Sequence, residues 1–222
     1  MSFTHPRYSL VLQVLAFATP NSLKVPIALE ELGLEYELKA VNVRQGQQKS
    51  ADFLALNPNG RVPVLIDPEG AGGQSLVLTE SAAILVYLAE KHGRLLPQTV
   101  EARVRVFEQL FFHASTLGPA FGHAGFFLKH ATAAMPIAIA RFHNEALRTL
   151  GLLEALLERH EFVAGDQFSI ADIAHFGWMW RKEFAEVDFS ASPNVQRWYD
   201  ALSARPAVIR AIKRVEALIP DA

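Results

Sequence analysis

The sequence predicts an α/β half followed by an all-helical half. The first ninety residues read β-α-β-α-β-β-α, a mixed sheet with helices packed on it, and helices alone follow. Three observations lead there. Short apolar, strand-like runs alternate with helix-periodic ones as far as His92; the pattern breaks across Gly93–Pro97; and beyond it long Ala- and Leu-rich stretches of helical period take over. At 222 residues the chain has room for two modest domains. The expected division is 1–92, a linker at 93–97, and 98–222.

Each element has a local reason. Leu10-Val11-Leu12-Gln13-Val14-Leu15 reads as a buried strand. Thr19-Pro20-Asn21-Ser22 then supplies a capping hydroxyl with proline in the first turn. Val25, Ala28, Leu29 and Leu32 recur at i, i+3, i+4 and i+7, which predicts a helix with one apolar face, stopped by Gly33. Glu35–Val43 is a second strand, Ala51–Leu56 a short helix closed by Asn57-Pro58-Asn59-Gly60, and Val62–Ile66 a compact apolar strand. Turn residues lead into a fourth strand, Ser75–Leu78, after which Thr79 is expected to cap a helix carrying Ala83, Ile84, Tyr87 and Leu88. The helical half offers 100–117, with an extension past Gly118-Pro119, then 136–159, 170–184, 193–204 and 206–218. Ser169-Ile170-Ala171-Asp172 is a capping box with Asp in place of Glu, and Phe168 and Ile173 are placed to staple it.

Composition removes several function classes. Fifty per cent hydrophobic and 20% charged residues describe a folded globular chain. The net charge of −2 comes without blocks of like charge, so neither nucleic acid nor an anionic membrane is an expected partner. No apolar run approaches a membrane span. Ala16-Phe17-Ala18 looks like a leader cleavage site, but Gln13 interrupts the apolar stretch before it, and a cytoplasmic protein is expected. Cysteine is absent, which excludes disulfides, zinc–thiolate sites and any cysteine nucleophile of its own. Thiol chemistry here has to use a thiol from outside. His113, His123 and His130 lack the i, i+4 spacing that sets two ligands on one helix face, so no metal is expected. Trp178, Met179 and Trp180 read as helix packing. Some of Phe107, Phe111, Phe112, Phe121, Phe126 and Phe127 are candidates to line an apolar pocket near Gly118–Gly125.

Three segments carry possible chemistry. Pro63 opens an apolar strand without an N–H for the ladder; it either sits at a sheet edge with a trans bond or, if Val62–Pro63 is cis, turns the backbone of Val62 outward to pair with an extended ligand. Thr79-Glu80-Ser81 combines free helix N–H groups, suited to a carboxylate, with an acid suited to an ammonium. Thr19-Pro20-Asn21 is a helix start where a thiol would feel the helix dipole and two donors. Each segment taken singly is equally a strand edge or a helix cap.

Taken together and in this order, these segments and Phe168-Ser169-Ile170-Ala171-Asp172 resemble a cytosolic-type glutathione transferase over roughly residues 8–218. Thr19-Pro20-Asn21 is most similar to the nu class, a disulfide-reductase-like branch; Tyr8 precedes the first strand and does not match the tyrosine of the tyrosine-type enzymes. The resemblance implies a thioredoxin-like N-terminal domain, glutathione as co-substrate without a metal, a homodimer, and a disulfide or electrophilic second substrate. It also implies roles. Glu80 and Ser81 would hold the γ-glutamyl amine and carboxylate, and Val62, before Pro63, would pair with the cysteinyl backbone. Asn21 would sit beside the sulfur with Thr19 in support. Gln48, or Gln47 next to it, and Arg61 would face the glycyl end, and Arg141 would contact glutathione from the helical half. Members of that class hold two glutathiones or glutathione disulfide in one site. The implied reaction is glutathione-dependent disulfide reduction with weak conjugation of electrophiles. A non-catalytic binding or regulatory protein, or a glutathione-dependent dehalogenase or isomerase, shares the same pattern.

Overall fold

The computed structural model of the chain describes residues 11–70 and 72–220; Tyr8 lies outside them. Four strands, β1 (Leu12–Ala16), β2 (Tyr36–Ala40), β3 (Val64–Asp67) and β4 (Leu76–Thr79), form one mixed sheet of order β2-β1-β3-β4. β1 runs parallel to β2 and antiparallel to β3, and β3 runs antiparallel to β4. The leader-like segment is therefore a paired strand, with Val14 and Ala16 fully buried. Helices α1 (Pro20–Leu32), α2 (Ala51–Leu56) and α3 (Ser81–His92) complete the α/β half. Thr19 caps α1, accepting from Ser22 N at 3.2 Å, and Gly33 ends it in the left-handed conformation at φ 73°. Six helices follow: α4 (Val100–Phe112), α5 (Gly118–Lys129), α6 (Pro136–Leu157), α7 (Ile170–Met179), α8 (Pro193–Ser203) and α9 (Pro206–Glu216). No helix among the described residues is long and apolar enough to cross a membrane.

The structure corrects four local expectations. Thr79 does not cap α3: it is the last residue of β4, paired with Val64, and the cap position falls to Glu80 at φ 66°. The helix from Val100 does run on past Gly118-Pro119, but through a π-helical turn at His113–Leu117 that shifts the register of everything after it. The helix beginning at Ile170 stops at Met179, not 184; the chain turns through a 3₁₀ segment, Lys182–Ala185, that brings Phe184 onto Gly125 so closely that a Cβ there would lie 2.0 Å from the ring. α1, finally, is not buried on one face. Every residue from Ser22 to Leu29 is buried.

That last point decides the site. The sheet covers one side of α1, and α7 crosses the other so closely that a Cβ on Gly177 would stand 2.3 Å from the carbonyl of Pro20. α9 is fastened to the far end of α1 by charge. Arg205 grips Glu31 with two hydrogen bonds of 2.6 and 2.9 Å, and Arg210 and Arg214 both reach Glu30. The first helix of the sheet half is thus the central helix of the whole molecule, and the polar residues of its first turns are pressed into the seam between the halves.

Candidate active site

A cleft of about 570 Å³ opens along that seam, on the side where the strands of the sheet hand over to α1 and α3. Three short pieces of backbone build it. The loop after α2 is anchored by buried Asn57, whose Nδ2 donates to the carbonyl of Arg61 at 2.7 Å and whose Oδ1 accepts from Asn59 N. This fixes the approach to Val62–Pro63, and that bond is cis. The ladder between β3 and β4 starts only at Val64, and among the described residues the N–H and C=O of Val62 have no hydrogen-bond partner. Of the two readings of Pro63, the structure takes the one that leaves Val62 open to an extended ligand.

The second piece is the start of α3. Glu80 holds a positive φ that a non-glycine residue adopts at a cost of about 1–3 kcal/mol, an outlier of the kind that gathers at binding sites. Its carboxylate makes no hydrogen bond or salt bridge among the described residues, and it lines the cleft beside Ser81, the first residue of α3, where unsatisfied N–H groups point outward. An ammonium and a carboxylate three or so bonds apart fit this pair.

The third piece is the start of α1. Thr19 and Asn21 both line the cleft. The hydroxyl of Thr19 is already committed, donating to Ser22 Oγ at 2.9 Å while accepting from Ser22 N. Asn21 is different. Its Oδ1 accepts from the ammonium of Lys24 at 2.8 Å, so its Nδ2 is the atom left for a ligand. The structure also separates the adjacent glutamines. Gln47 spends its Oε1 on Asn42 N at 2.8 Å and holds the loop, whereas Gln48 lines the cleft with its Oε1 buried and without a partner. Arg61 lines the cleft too. Arg141 does not: it lies exposed on α6, one turn before Glu145, outside the residues lining this cleft or its neighbour.

A second cavity of about 550 Å³ adjoins the first and shares Asn21, Arg61, Glu80, Ser81 and Trp178 with it. Gly118, Gly122, Phe126 and Phe184 form its apolar side, so one phenylalanine of the aromatic-rich stretch does reach a pocket. Trp178 is more than packing. Its ring lies against Gly118 and Gly122, where a Cβ would come within 3.2 Å, and its edge borders both cavities. Sequence patterning did not single out Lys24 or Trp178 as site residues. A lysine and a tryptophan at helix positions carry no sequence signal of a cleft; the glycines opposite Trp178 are the trace that a close approach leaves. Among the described residues no group of three or more His, Cys, Asp or Glu could hold a metal ion.

Comparison with known proteins identifies the family. The family model of the glutathione S-transferase N-terminal domain matches residues 18–91, and that of the C-terminal domain matches 138–206. The disulfide-bond oxidoreductase YfcG of Escherichia coli is 35% identical over 201 residues, covering 89% of this chain and 93% of that protein. A crystal structure of a glutathione transferase from Burkholderia graminis, with two glutathione molecules bound per subunit, is 40% identical with a TM-score of 0.88 over 94% of this chain and 90% of that one. Another, from Pseudomonas putida with one glutathione disulfide per subunit, is 38% identical with a TM-score of 0.89 over 94% and 93%. With a thioredoxin-like sheet half, an all-helical half and both family domains matched in order, the chain belongs to the glutathione S-transferase family.

Proposed function

We propose that this enzyme is a glutathione-dependent disulfide reductase of the nu class. The observation that carries the reading is the pairing of two adjoining cavities around Asn21 in a chain with no cysteine. One cavity offers the Glu80–Ser81 pair, the open backbone of Val62 and the side of Gln48, which suit the γ-glutamyl, cysteinyl and glycyl parts of one glutathione. The adjoining space suits a second glutathione or the substrate disulfide; the Burkholderia graminis relative holds two glutathiones per subunit and the Pseudomonas putida relative one glutathione disulfide. Arg61 sits between them. Arg141 we assign to the rim, reached by a longer ligand.

The chemistry then belongs to the borrowed sulfurs. A glutathione thiolate beside Asn21 attacks one sulfur of the substrate disulfide. The S–S bond breaks, a glutathione–substrate mixed disulfide forms, and the other half leaves as a thiolate that takes up a proton. A second glutathione thiolate attacks the glutathione sulfur of that mixed disulfide, releasing the second substrate thiol and leaving glutathione disulfide. The protein supplies proximity and a donor that favours thiolate over thiol. Thr19 supports the helix start, since its hydroxyl is engaged with Ser22. Because glutathione has to be present in reduced form, we place the protein in the cytoplasm.

The test is Asn21→Ala. Losing one donor to a charged acceptor should slow reduction of a small dialkyl disulfide by roughly ten- to a hundredfold, while the glutathione Kd changes far less, because most contacts lie elsewhere. Thr19→Ala should act more weakly. Wild-type rates in Asn21→Ala would remove Asn21 from the reaction and the class assignment with it.

We also propose a homodimer, with the domain division at 93–97 keeping the cleft within one protomer. Its support is a stripe on α4: Val100, Val104 and Phe111 are 70%, 56% and 72% exposed on one side of the helix, and Val77 on edge strand β4 is 40% exposed. Sedimentation at micromolar concentration should show twice the 24.6 kDa chain mass; a species of monomer mass alone would overturn the dimer.

A further inference from the structure

Beneath Asn21 lies a buried chain of nitrogen atoms that the proposed reaction has not used. Lys24, 1% exposed, donates to Asn21 Oδ1 at 2.8 Å and Ser81 Oγ at 3.3 Å, and its Nζ lies 2.7 Å from His113 Nε2. His113 Nδ1 lies 3.1 Å from His175 Nδ1, and His175 Nε2 lies 3.3 Å from Gln109 Oε1. With Lys24 as an ammonium, one set of hydrogens satisfies every link. The ammonium has three donors and three acceptors around it, and His113 donates from Nδ1 to His175, which donates from Nε2 to Gln109. Both imidazoles are then neutral.

No carboxylate touches this ammonium. Its partners are an amide, a hydroxyl and an imidazole, and a buried cation without a counter-ion is costly. The charged and titratable groups that face it are few. His113 comes from the π turn, His175 from α7 and Glu80 from the start of α3, while Arg61 and, from α5, His123 line the second cavity with it. The arginines of α9 are occupied with Glu30 and Glu31 at the other end of α1. Burial drives the Lys24 ammonium down to about 7, with Glu80 pulling it back up, and drives His113 well below the usual imidazole range. The proton of this cluster therefore resides on Lys24, and an anion arriving nearby is what would hold it there.

We infer that Lys24 is the positioning residue and counter-charge of the sulfur site: by taking the acceptor atoms of Asn21 and Ser81 it turns the amide N–H of one and the hydroxyl hydrogen of the other toward the cleft, and its charge, one amide away, draws a bound thiol toward thiolate. This rests on the glutathione reading above and deepens it. It explains why a lysine, usually a surface residue, is sunk in the seam. It also gives the neutral His113–His175 pair a purpose, as a proton-acceptor scaffold that adds no competing charge.

The probes are glutathione and S-methylglutathione, whose sulfur cannot ionise. A unit charge at roughly 7 Å moves a thiol by about one to two pH units at an intermediate dielectric. A thiol brought from about 8.5 to about 6.5 binds roughly fourfold more tightly at pH 7. Lys24→Met and Lys24→Gln should therefore raise the pKa of bound glutathione, read from thiolate ultraviolet absorbance, by about one to two units. They should also weaken glutathione about fourfold more than S-methylglutathione at pH 7. Lys24→Gln keeps an N–H for Asn21 and so separates charge from orientation. The wild type supplies a test that needs no variant: by reciprocity, the Lys24 pKa followed by carbon NMR at Cε should rise further with glutathione than with S-methylglutathione. Equal weakening of both ligands with an unmoved thiolate titration, or an equal Lys24 shift with both, would overturn the role of Lys24. A wild type that binds neither ligand would instead overturn the glutathione reading itself.

Discussion

Glu80→Ala should lower glutathione affinity by on the order of ten- to a hundredfold and barely move the melting temperature. The carboxylate makes no hydrogen bond to the protein and lines the cleft, so its removal costs the fold no hydrogen bond, only its long-range attraction for the Lys24 ammonium. The backbone strain at φ 66° is shared by alanine and so cancels in the comparison. What disappears is one charge-assisted hydrogen bond to the ligand's ammonium, worth roughly 1.5–3 kcal/mol. Glu80→Gly, which relaxes the backbone as well, should lose affinity by a similar factor while gaining slightly in stability. Isothermal titration with glutathione reads the first effect and thermal unfolding the second. Unchanged affinity in Glu80→Ala would reduce this segment to a strained helix start.

Asp172→Ala should behave in the opposite way, removing about 3–5 kcal/mol of folding stability. The side chain is fully buried and accepts four hydrogen bonds: Val163 N at 2.9 Å and Trp198 Nε1 at 3.0 Å on one oxygen, Ser169 N at 2.9 Å and Ser169 Oγ at 3.2 Å on the other. Alanine leaves all four donors buried and unpaired beside a cavity. A domain of this size has only about 5–15 kcal/mol in total, so the variant should unfold at markedly lower denaturant. Asp172→Asn should recover little, because its NH₂ would face donors. A denaturation midpoint within error of the wild type would show that these bonds are replaced by water at no cost.

Asp172 also marks how far a sequence pattern reaches. Its role in the capping box is local, three residues from Ser169, and was legible from the sequence. The bonds to Val163 and Trp198, nine and twenty-six residues away, were not. The same holds along the chain. The succession of strands and helices along the chain, the helix starts at Thr19 and Ser169 and the stop at Gly33 follow from near neighbours. The π turn at His113–Leu117, the early end of α7 and the shift of the α3 cap from Thr79 to Glu80 do not. In each of those, a contact with a distant element outweighs a local preference of about a kcal/mol.

The sequence by itself determined the two-part architecture, the absence of an internal thiol, and the segments at Thr19–Asn21, Val62–Pro63 and Glu80–Ser81, because short-range periodicity, capping and composition encode them directly. The tertiary structure alone decided that Val62–Pro63 is cis, that Gln48 and not Gln47 faces the cleft, and that Arg141 stays outside it. It also buried Lys24 against His113 of the other half, which in turn meets His175. A helical pattern predicts which face of α1 is apolar, but not that α7 will cross the opposite face at Gly177 with no room for a Cβ. That crossing takes water from the ammonium, and the burial of a charge is a property of what surrounds it, not of the residues beside it in sequence.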